Sequence, residues 1–316
     1  MKSQSALIIG AGEIAKEYAK ILKESGVQIT MVCRSQEKAD AVMKLNDYQV
    51  HSGGCTEFLK NTKQNFDMAI NAVTAESLFE VNKQLVKSKR VKKVLCEKPG
   101  ALRKNEFDEL SSLSLENNIH IYIAYNRRYF SSTIKLKEIL ATEQATSAFF
   151  EFTEWFWKIN IANYSKEVIE EWLLANSSHV IDLAFHLGGG VSTLSSLTRA
   201  TDPKATIQDQ YVGHGRFNSG AVFSYIADWK SAGRWKVEFS TIEGRYMLCP
   251  LEKLFFQKRG MLEYSEIAIE NSLDLKYKPG FYLQVQDFLL EKPVGLKSMI
   301  EQKSDCVFFD QVKKSY

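Results

Sequence analysis

The chain has 316 residues, 45% of them hydrophobic, and 41 Lys and Arg against 38 Asp and Glu, a formal net charge of +3. That length accommodates two domains with a core each, and so small a charge excess gives no ground for nucleic-acid binding. No apolar run approaches a membrane span, and five scattered cysteines without metal or redox spacing fit reduced thiols in a cytoplasm.

Met1 to Ser5 is not a secretory leader, because no long apolar region follows before Gly10. Ala6 to Ile9 suits a buried parallel strand. It runs into Gly10-Ala11-Gly12, and a helical pattern opens at once with Ile14, Ala15, Tyr18, Ala19 and Leu22. Strand, tight turn and helix in this order form the phosphate-binding corner of a dinucleotide fold. Gly10 makes the turn, Gly12 lets the backbone approach a pyrophosphate, and Ala15 lets helix and strand pack closely. Glu13 and Ile14 open the helix whose positive end faces the anion.

The following third alternates: strand Val27 to Cys33, helix Gln36 to Asn46, strand Asp67 to Val73, helix Ala75 to Ser88, strand Val91 to Cys96, strand Ile119 to Ala124. This rhythm predicts a doubly wound parallel sheet, with ligand beyond the carboxyl ends of its strands. Those ends carry Arg34-Ser35, Ala72-Val73 and Glu97-Lys98-Pro99. Arg34 and Ser35 stand where an NAD-binding chain carries an acid, so NADP(H) is preferred over NAD(H). Pro99 holds Lys98 out of helical geometry, at a strand exit where its ammonium can steady an oxyanion. The basic cluster Lys87, Lys89, Arg90, Lys92 and Lys93 reads as a solvated helix end.

A polar, aromatic junction, Tyr125-Asn126-Arg127-Arg128-Tyr129, precedes helix Ser131 to Leu140. From Ser147 the rhythm becomes strand after strand: Ala148 to Trp157, Thr206 to Phe217, Ala221 to Trp229, Trp235 to Leu248 and Lys253 to Lys258, then a helix Tyr282 to Leu290. Alternation and intervening turns predict an antiparallel sheet. One helix interrupts it, with Asn176-Ser177-Ser178 as its cap and Gly188 as its stop. His179, Asp182 and His186 share a face there. Seven residues rise roughly 10.5 Å, too far for both imidazoles to hold one ion through bonds of ~2 Å, so a metal site is rejected.

Gly10-Ala11-Gly12-Glu13-Ile14-Ala15, Glu97-Lys98-Pro99, Tyr125-Asn126-Arg127-Arg128-Tyr129 and Ser178-His179-Val180-Ile181-Asp182 follow one another in an order and spacing that resembles the Gfo/Idh/MocA oxidoreductases. The resemblance implies an N-terminal Rossmann domain, placed at 1–124, and a substrate-binding and oligomerisation α/β domain at 125–316 with a large, mainly antiparallel open sheet. It implies that Lys98 is catalytic, that nicotinamide lies between the domains, that Arg127 borders the cofactor, and that His179 faces the substrate carbon as general acid/base. Asp182 then orients or polarises the site. Asn176, Tyr125, Trp155 and Trp157 are candidate substrate contacts.

Two departures stand out. Many sugar dehydrogenases of the family carry an aspartate four residues before the histidine, where this chain has Ala175, with Asn176 adjacent. The histidine often found after the third strand is absent from Thr74-Ala75-Glu76-Ser77. The expectation is therefore a cytoplasmic, NADP(H)-preferring oxidoreductase acting on a sugar or nucleotide-sugar, with surface-polysaccharide sugar synthesis as a setting the sequence permits, and a homo-oligomer through its open sheet, with no nucleic-acid or membrane partner. An imine or pyrrole-type reductase, and a dinucleotide-binding sensor or assembly protein without turnover, are the alternatives.

Overall fold

The structure, a computed structural model, describes residues 4–45, 48–202 and 207–314. The predicted helix end at Asn46, the strand start at Thr206 and the segment Met1 to Ser3 lie outside the described residues. Contacts divide the chain into two compact units, Met1–Tyr125 with Phe281–Ser304, and Asn126–Gly280 with Asp305–Tyr316.

An uninterrupted apolar strand needs cover on both faces, which a parallel sheet between helices supplies. In the first unit β1 (Ser5–Ile9) leads through α1 (Glu13–Glu24) to β2 (Gln28–Val32), then α2 (Gln36–Leu45), β3 (Gln49–His51) and α3 (Gly54–Asn61). There follow β4 (Met68–Asn71), α4 (Leu78–Ser88) behind a 3₁₀ turn at Ala75–Ser77, β5 (Lys93–Glu97), α5 (Lys104–Asn117) and β6 (His120–Ala124). These strands lie in the order β6-β5-β4-β1-β2-β3, all parallel. The chain crosses from β3 back to β4, so β1 sits at the centre, and Ala6, Leu7 and Ile8 are wholly buried. Each such aliphatic side chain contributes about 1.5–3 kcal/mol.

Beneath β4 and β5 runs a buried polar network. The Asn71 amide donates to the Leu78 carbonyl at 3.0 Å and to Asn82 Oδ1 at 2.9 Å. Asn82 in turn donates to Cys96 Sγ at 3.0 Å and to the Gly100 carbonyl at 3.2 Å. It thus clamps the chain on both sides of Glu97-Lys98-Pro99.

The second unit begins with α6 (Ser131–Thr142), β7 (Ser147–Phe152) and α7 (Lys166–Glu170). A π turn at Leu173–Ser177 then runs straight into α8 (Ser178–Gly188). Strands β8 (Val191–Arg199), β9 (Gln210–Phe217), β10 (Val222–Asp228), β11 (Trp235–Ser240), β12 (Gly244–Leu248), β13 (Phe255–Lys258) and β14 (Ser265–Glu266) follow, then α9 (Ser272–Lys276). The eight-stranded sheet has the order β14-β13-β12-β11-β7-β10-β9-β8. It is antiparallel except where β10 runs parallel to β7. Its core is aromatic: Phe150 stacks on Tyr225 at 5.2 Å and meets Phe185 of α8 edge-on at 6.3 Å. Gly213 and Gly215 of β9 lie directly opposite Tyr225 and Phe223, and a Cβ on either would sit within 2.5 Å of those rings. The missing side chains give the rings their room.

The single predicted strand Trp235 to Leu248 is a hairpin, β11 and β12, turning at 241–243. Likewise the strand predicted to reach Trp157 stops at Phe152, and Phe156–Lys158 is a 3₁₀ turn. Phe156 leaves the sheet to stack on Trp229, with ring centres 5.5 Å apart.

The chain then returns to the first unit, whereas the boundary at 124 assigns everything beyond it to the second domain. α10 (Phe281–Leu289) packs on α1, where Phe281 lies 4.9 Å from Tyr18. β15 (Lys297–Ser298) pairs antiparallel with β6, so the first sheet is not wholly parallel, and α11 (Met299–Lys313) closes the chain. Lys93 is not a solvated helix end: its ammonium reaches the Phe288 and Leu290 carbonyls at the end of α10, each at 2.5 Å, where a cation offsets the helix dipole. Among the described residues no helix is long and apolar enough to cross a membrane.

Candidate active site

In the first unit a cleft of about 800 Å³ opens at the carboxyl ends of β1, β2 and β4. Its floor is the glycine corner. Gly10 has φ +131°, and a Cβ there would lie 2.5 Å from the Ala72 carbonyl oxygen, so only glycine fits this close approach. Gly12 caps α1 with no side chain on its amides and with open space around its Cα. Ala72, Val73, Glu13 and Ile14 line the same cleft.

Arg34 and Ser35 lie at the far end of this cleft, and Lys38 joins them from the first turn of α2. Ser35 also receives the Lys38 amide on its hydroxyl at 3.4 Å, beginning that helix. Gly53 and Gly54, both at positive φ, bring the start of α3 against Arg34. Lys38, Gly53 and Gly54 escaped the sequence reading. Lys38 was visible as a cation four residues after Arg34 on a helix, whereas the glycines belong to an element that the sequence did not signal. Two cations, a hydroxyl and a glycine-lined wall fit the adenosine end of a dinucleotide, including a 2′-phosphate.

Glu97 does not point its carboxylate into open solvent. The Tyr18 hydroxyl donates to it at 2.6 Å and lies 3.2 Å from Gln284 Oε1. Burial, reinforced by the Glu97 charge, pushes the Tyr18 phenol well above its ordinary value, so it stays a donor. Lys98 follows at the exit of β5, half-buried, with a cis bond to Pro99. Tyr125, a candidate substrate contact, is 1% exposed. It accepts a hydrogen bond from Gln302 at 3.1 Å, and Lys297 lies over its ring. The return of β15 and α11 covers it, and the substrate role is withdrawn.

In the second unit His179 stands on the first turn of α8, buried, its ring 6.0 Å from that of Trp235. Arg127 lies over the same indole at 4.6 Å and Arg234 at 5.1 Å. Asn176-Ser177-Ser178 is not a cap: Ser177 has helical backbone and makes no capping bond. Instead Asn176 and Ser177 each donate to Glu154 Oε1 at 2.8 Å. Glu154 is 2% exposed and has Arg234 at 3.8 Å. Burial pushes its carboxyl above the ordinary value, against the pull of Ser177, Asn176 and Arg234. The sequence reading missed it, because it leaves β7 some twenty residues before its partners.

Asp182, one turn beyond His179, is held in a two-pronged pair by Arg128 at 2.8 and 2.7 Å, both groups largely out of water. His186 lies 3.2 Å from the Lys137 ammonium. Among the described partners of this helix face, Asp182 pairs with Arg128 and His186 approaches Lys137. Trp155 donates its indole N–H to the Gly233 carbonyl at 2.9 Å and stacks near Trp157, which is 57% exposed.

The chain has the fold of the Gfo/Idh/MocA-type oxidoreductases from end to end, as the motif resemblance implies. An oxidoreductase from Agrobacterium radiobacter, solved with NAD+, L-tartaric acid and magnesium, superposes with a TM-score of 0.77 at 16% identity, covering 100% of this chain and 96% of that one. The WlbA dehydrogenase from Bordetella pertussis, solved with NADH and UDP-GlcNAcA, gives 0.74 at 14% identity, covering 98% and 95%. In sequence, residues 1–99 match the family model for shikimate / quinate 5-dehydrogenase. A shikimate dehydrogenase (NADP(+)) from Helicobacter pylori is 37% identical over 86 residues, 27% of this chain and 30% of that protein. The chain thus matches under a third of the length of such relatives.

Proposed function

We propose that this chain is an NADP(H)-preferring oxidoreductase that moves hydride between nicotinamide and a carbonyl or secondary alcohol of a sugar or nucleotide-sugar. The observation that carries the reading is the first-unit cleft, where an obligate glycine floor is joined to Arg34, Ser35 and Lys38. When bound, the dinucleotide supplies the hydride chemistry. The protein's part is to bind, orient and manage charge. Arg34 and Lys38 hold the 2′-phosphate. Lys98, positioned by the Asn82 clamp, steadies the oxyanion, and His179 exchanges the proton.

The names of the solved relatives, with NAD+ or NADH and in one case UDP-GlcNAcA, support a nicotinamide cofactor and a nucleotide-sugar substrate. The NADP(+) in the name of the shikimate dehydrogenases supports the phosphate preference. Their substrate is not carried over, because the match stops near the end of the dinucleotide-binding strands. The reading also includes self-association through the open sheet, where Leu197, Val212 and Ile226 form an exposed apolar row in direct register across β8, β9 and β10.

The test is to add NADPH and then NADH to the protein, follow quenching or transfer in nucleotide fluorescence, and add a panel of keto- and nucleotide-sugars while recording the reduced-nicotinamide absorbance. Binding with turnover of at least one sugar, lost in Lys98→Met, is expected. Absence of dinucleotide binding would overturn the reading.

A further inference from the structure

We infer that Glu154 is a positioning residue for His179, supplying from just beyond β7 a negative charge beside the start of α8. The inference rests on the reading of His179 as general acid/base. Its geometry lies within the second unit. Glu154 accepts hydrogen bonds from Asn176 and Ser177, the two residues that lead into α8. Asn176 and Ser177 stand in the π turn that leads directly into Ser178 and His179. The π turn at Leu173–Ser177 aims both donors at one oxygen, Glu154 Oε1.

A buried carboxylate is costly unless it is hydrogen-bonded or paired, and here donors meet it from the π turn while Arg234 approaches its other oxygen. Such a group is more than a packing element. Its charge acts through a poorly screened interior on the start of α8. Other charged groups facing this region among the described residues include Arg234 and Arg127, both over Trp235, Lys158 over Trp155, a ring Arg234 also covers, the Arg128–Asp182 pair further along α8, and Glu151 against Gly233. Cations so placed disfavour a protonated imidazole. The Glu154 carboxylate offsets them and keeps the proton available.

The experiment uses the full chain without substrate. His179 is followed by ring-proton NMR among the five histidines, identified by its loss in His179→Gln, and titrated in wild type, Glu154→Gln and Glu154→Asp. Glu154→Gln is expected to lower the His179 midpoint by roughly one pH unit, and Glu154→Asp to keep it within about 0.3. An unmoved midpoint in Glu154→Gln, or equal shifts in both variants, overturns the inference. If Glu154→Gln fails to fold, the wild-type Glu154 carboxyl-carbon signal decides: a second inflection at the His179 midpoint is expected, and a single inflection overturns the inference. Coupling without turnover of any sugar would defeat the functional reading alone. Turnover without coupling would defeat only this assignment.

Discussion

Arg128 grips Asp182 with two nitrogens, its Nε and one terminal amine at 2.8 and 2.7 Å from the two carboxylate oxygens. Asp182 is 1% exposed, so the pair has left water behind. Removing one partner strands the other charge, which costs about 3–5 kcal/mol. Asp182→Ala and Arg128→Ala should each lower unfolding stability by that order in urea titrations. The apolar double replacement Arg128→Met/Asp182→Leu should recover most of it. Full stability in the single variants would contradict a structural role for the pair.

Gly10→Ala places a methyl against the Ala72 carbonyl at a backbone angle that L side chains avoid. The strain should cost roughly 1–3 kcal/mol. Thermal melts and nucleotide fluorescence together check this: Tm falls, and NADPH and NADH affinity fall in parallel. Unchanged binding would mean that the corner does not hold the pyrophosphate.

At the other end of the cleft the expectation is selective. A charge-assisted hydrogen bond contributes about 1.5–3 kcal/mol, so Arg34→Ala or Lys38→Ala should weaken NADPH by about tenfold or more. NADH should be nearly indifferent to either change. Equal losses for the two nucleotides would remove the phosphate-reading role.

Leu197, Val212 and Ile226 are 65%, 50% and 41% exposed, and their row continues across three hydrogen-bonded strands. Covering such a row by a second copy would remove the apolar area from water. Light scattering is expected to report a dimer or larger species, and Val212→Lys with Leu197→Glu to yield a folded monomer. A wild-type monomer at micromolar concentration would refute the assembly.

Asp67 supplies a pH test. The Lys92 ammonium bonded to it at 2.5 Å holds its carboxyl below the ordinary value; burial opposes this, and Ser5 adds to it through its amide and hydroxyl. Because the folded value is depressed, the stabilisation is complete above the unfolded carboxylate range and is lost as pH falls through the folded value. Asp67→Asn should therefore destabilise near neutrality and match wild type well below the carboxylate range, as read from urea midpoints. A pH-independent difference would show that charge is not the cause.

The glycine corner and the Arg34 strand end were legible because local chemistry writes them: a strand that turns sharply into a helix against neighbouring backbone calls for glycine, as at Gly10, and a strand of four apolar residues calls for burial. The same logic found α8. It could not find Glu154, whose partners are chosen by the long-range pairing of β7 with β10 and β11. Asn176 and Ser177 read as a cap because their side chains serve caps and buried carboxylates equally well. Tyr125 looked accessible for a similar reason, since nothing in its own neighbourhood foretells that Gln302 and Lys297 will come back to cover it.

That homecoming also bears on how the polypeptide matures. When the ribosome has released Tyr125, six strands of the first sheet exist, yet Tyr18 still lacks Phe281 and Gln284, and β6 still lacks its antiparallel neighbour. The first unit must wait for the entire intervening unit to be synthesised. A fragment cut at the apparent border would carry a raw hydrophobic flank along α1, and a stable first unit on its own would require residues 281–304 to be spliced directly behind 125.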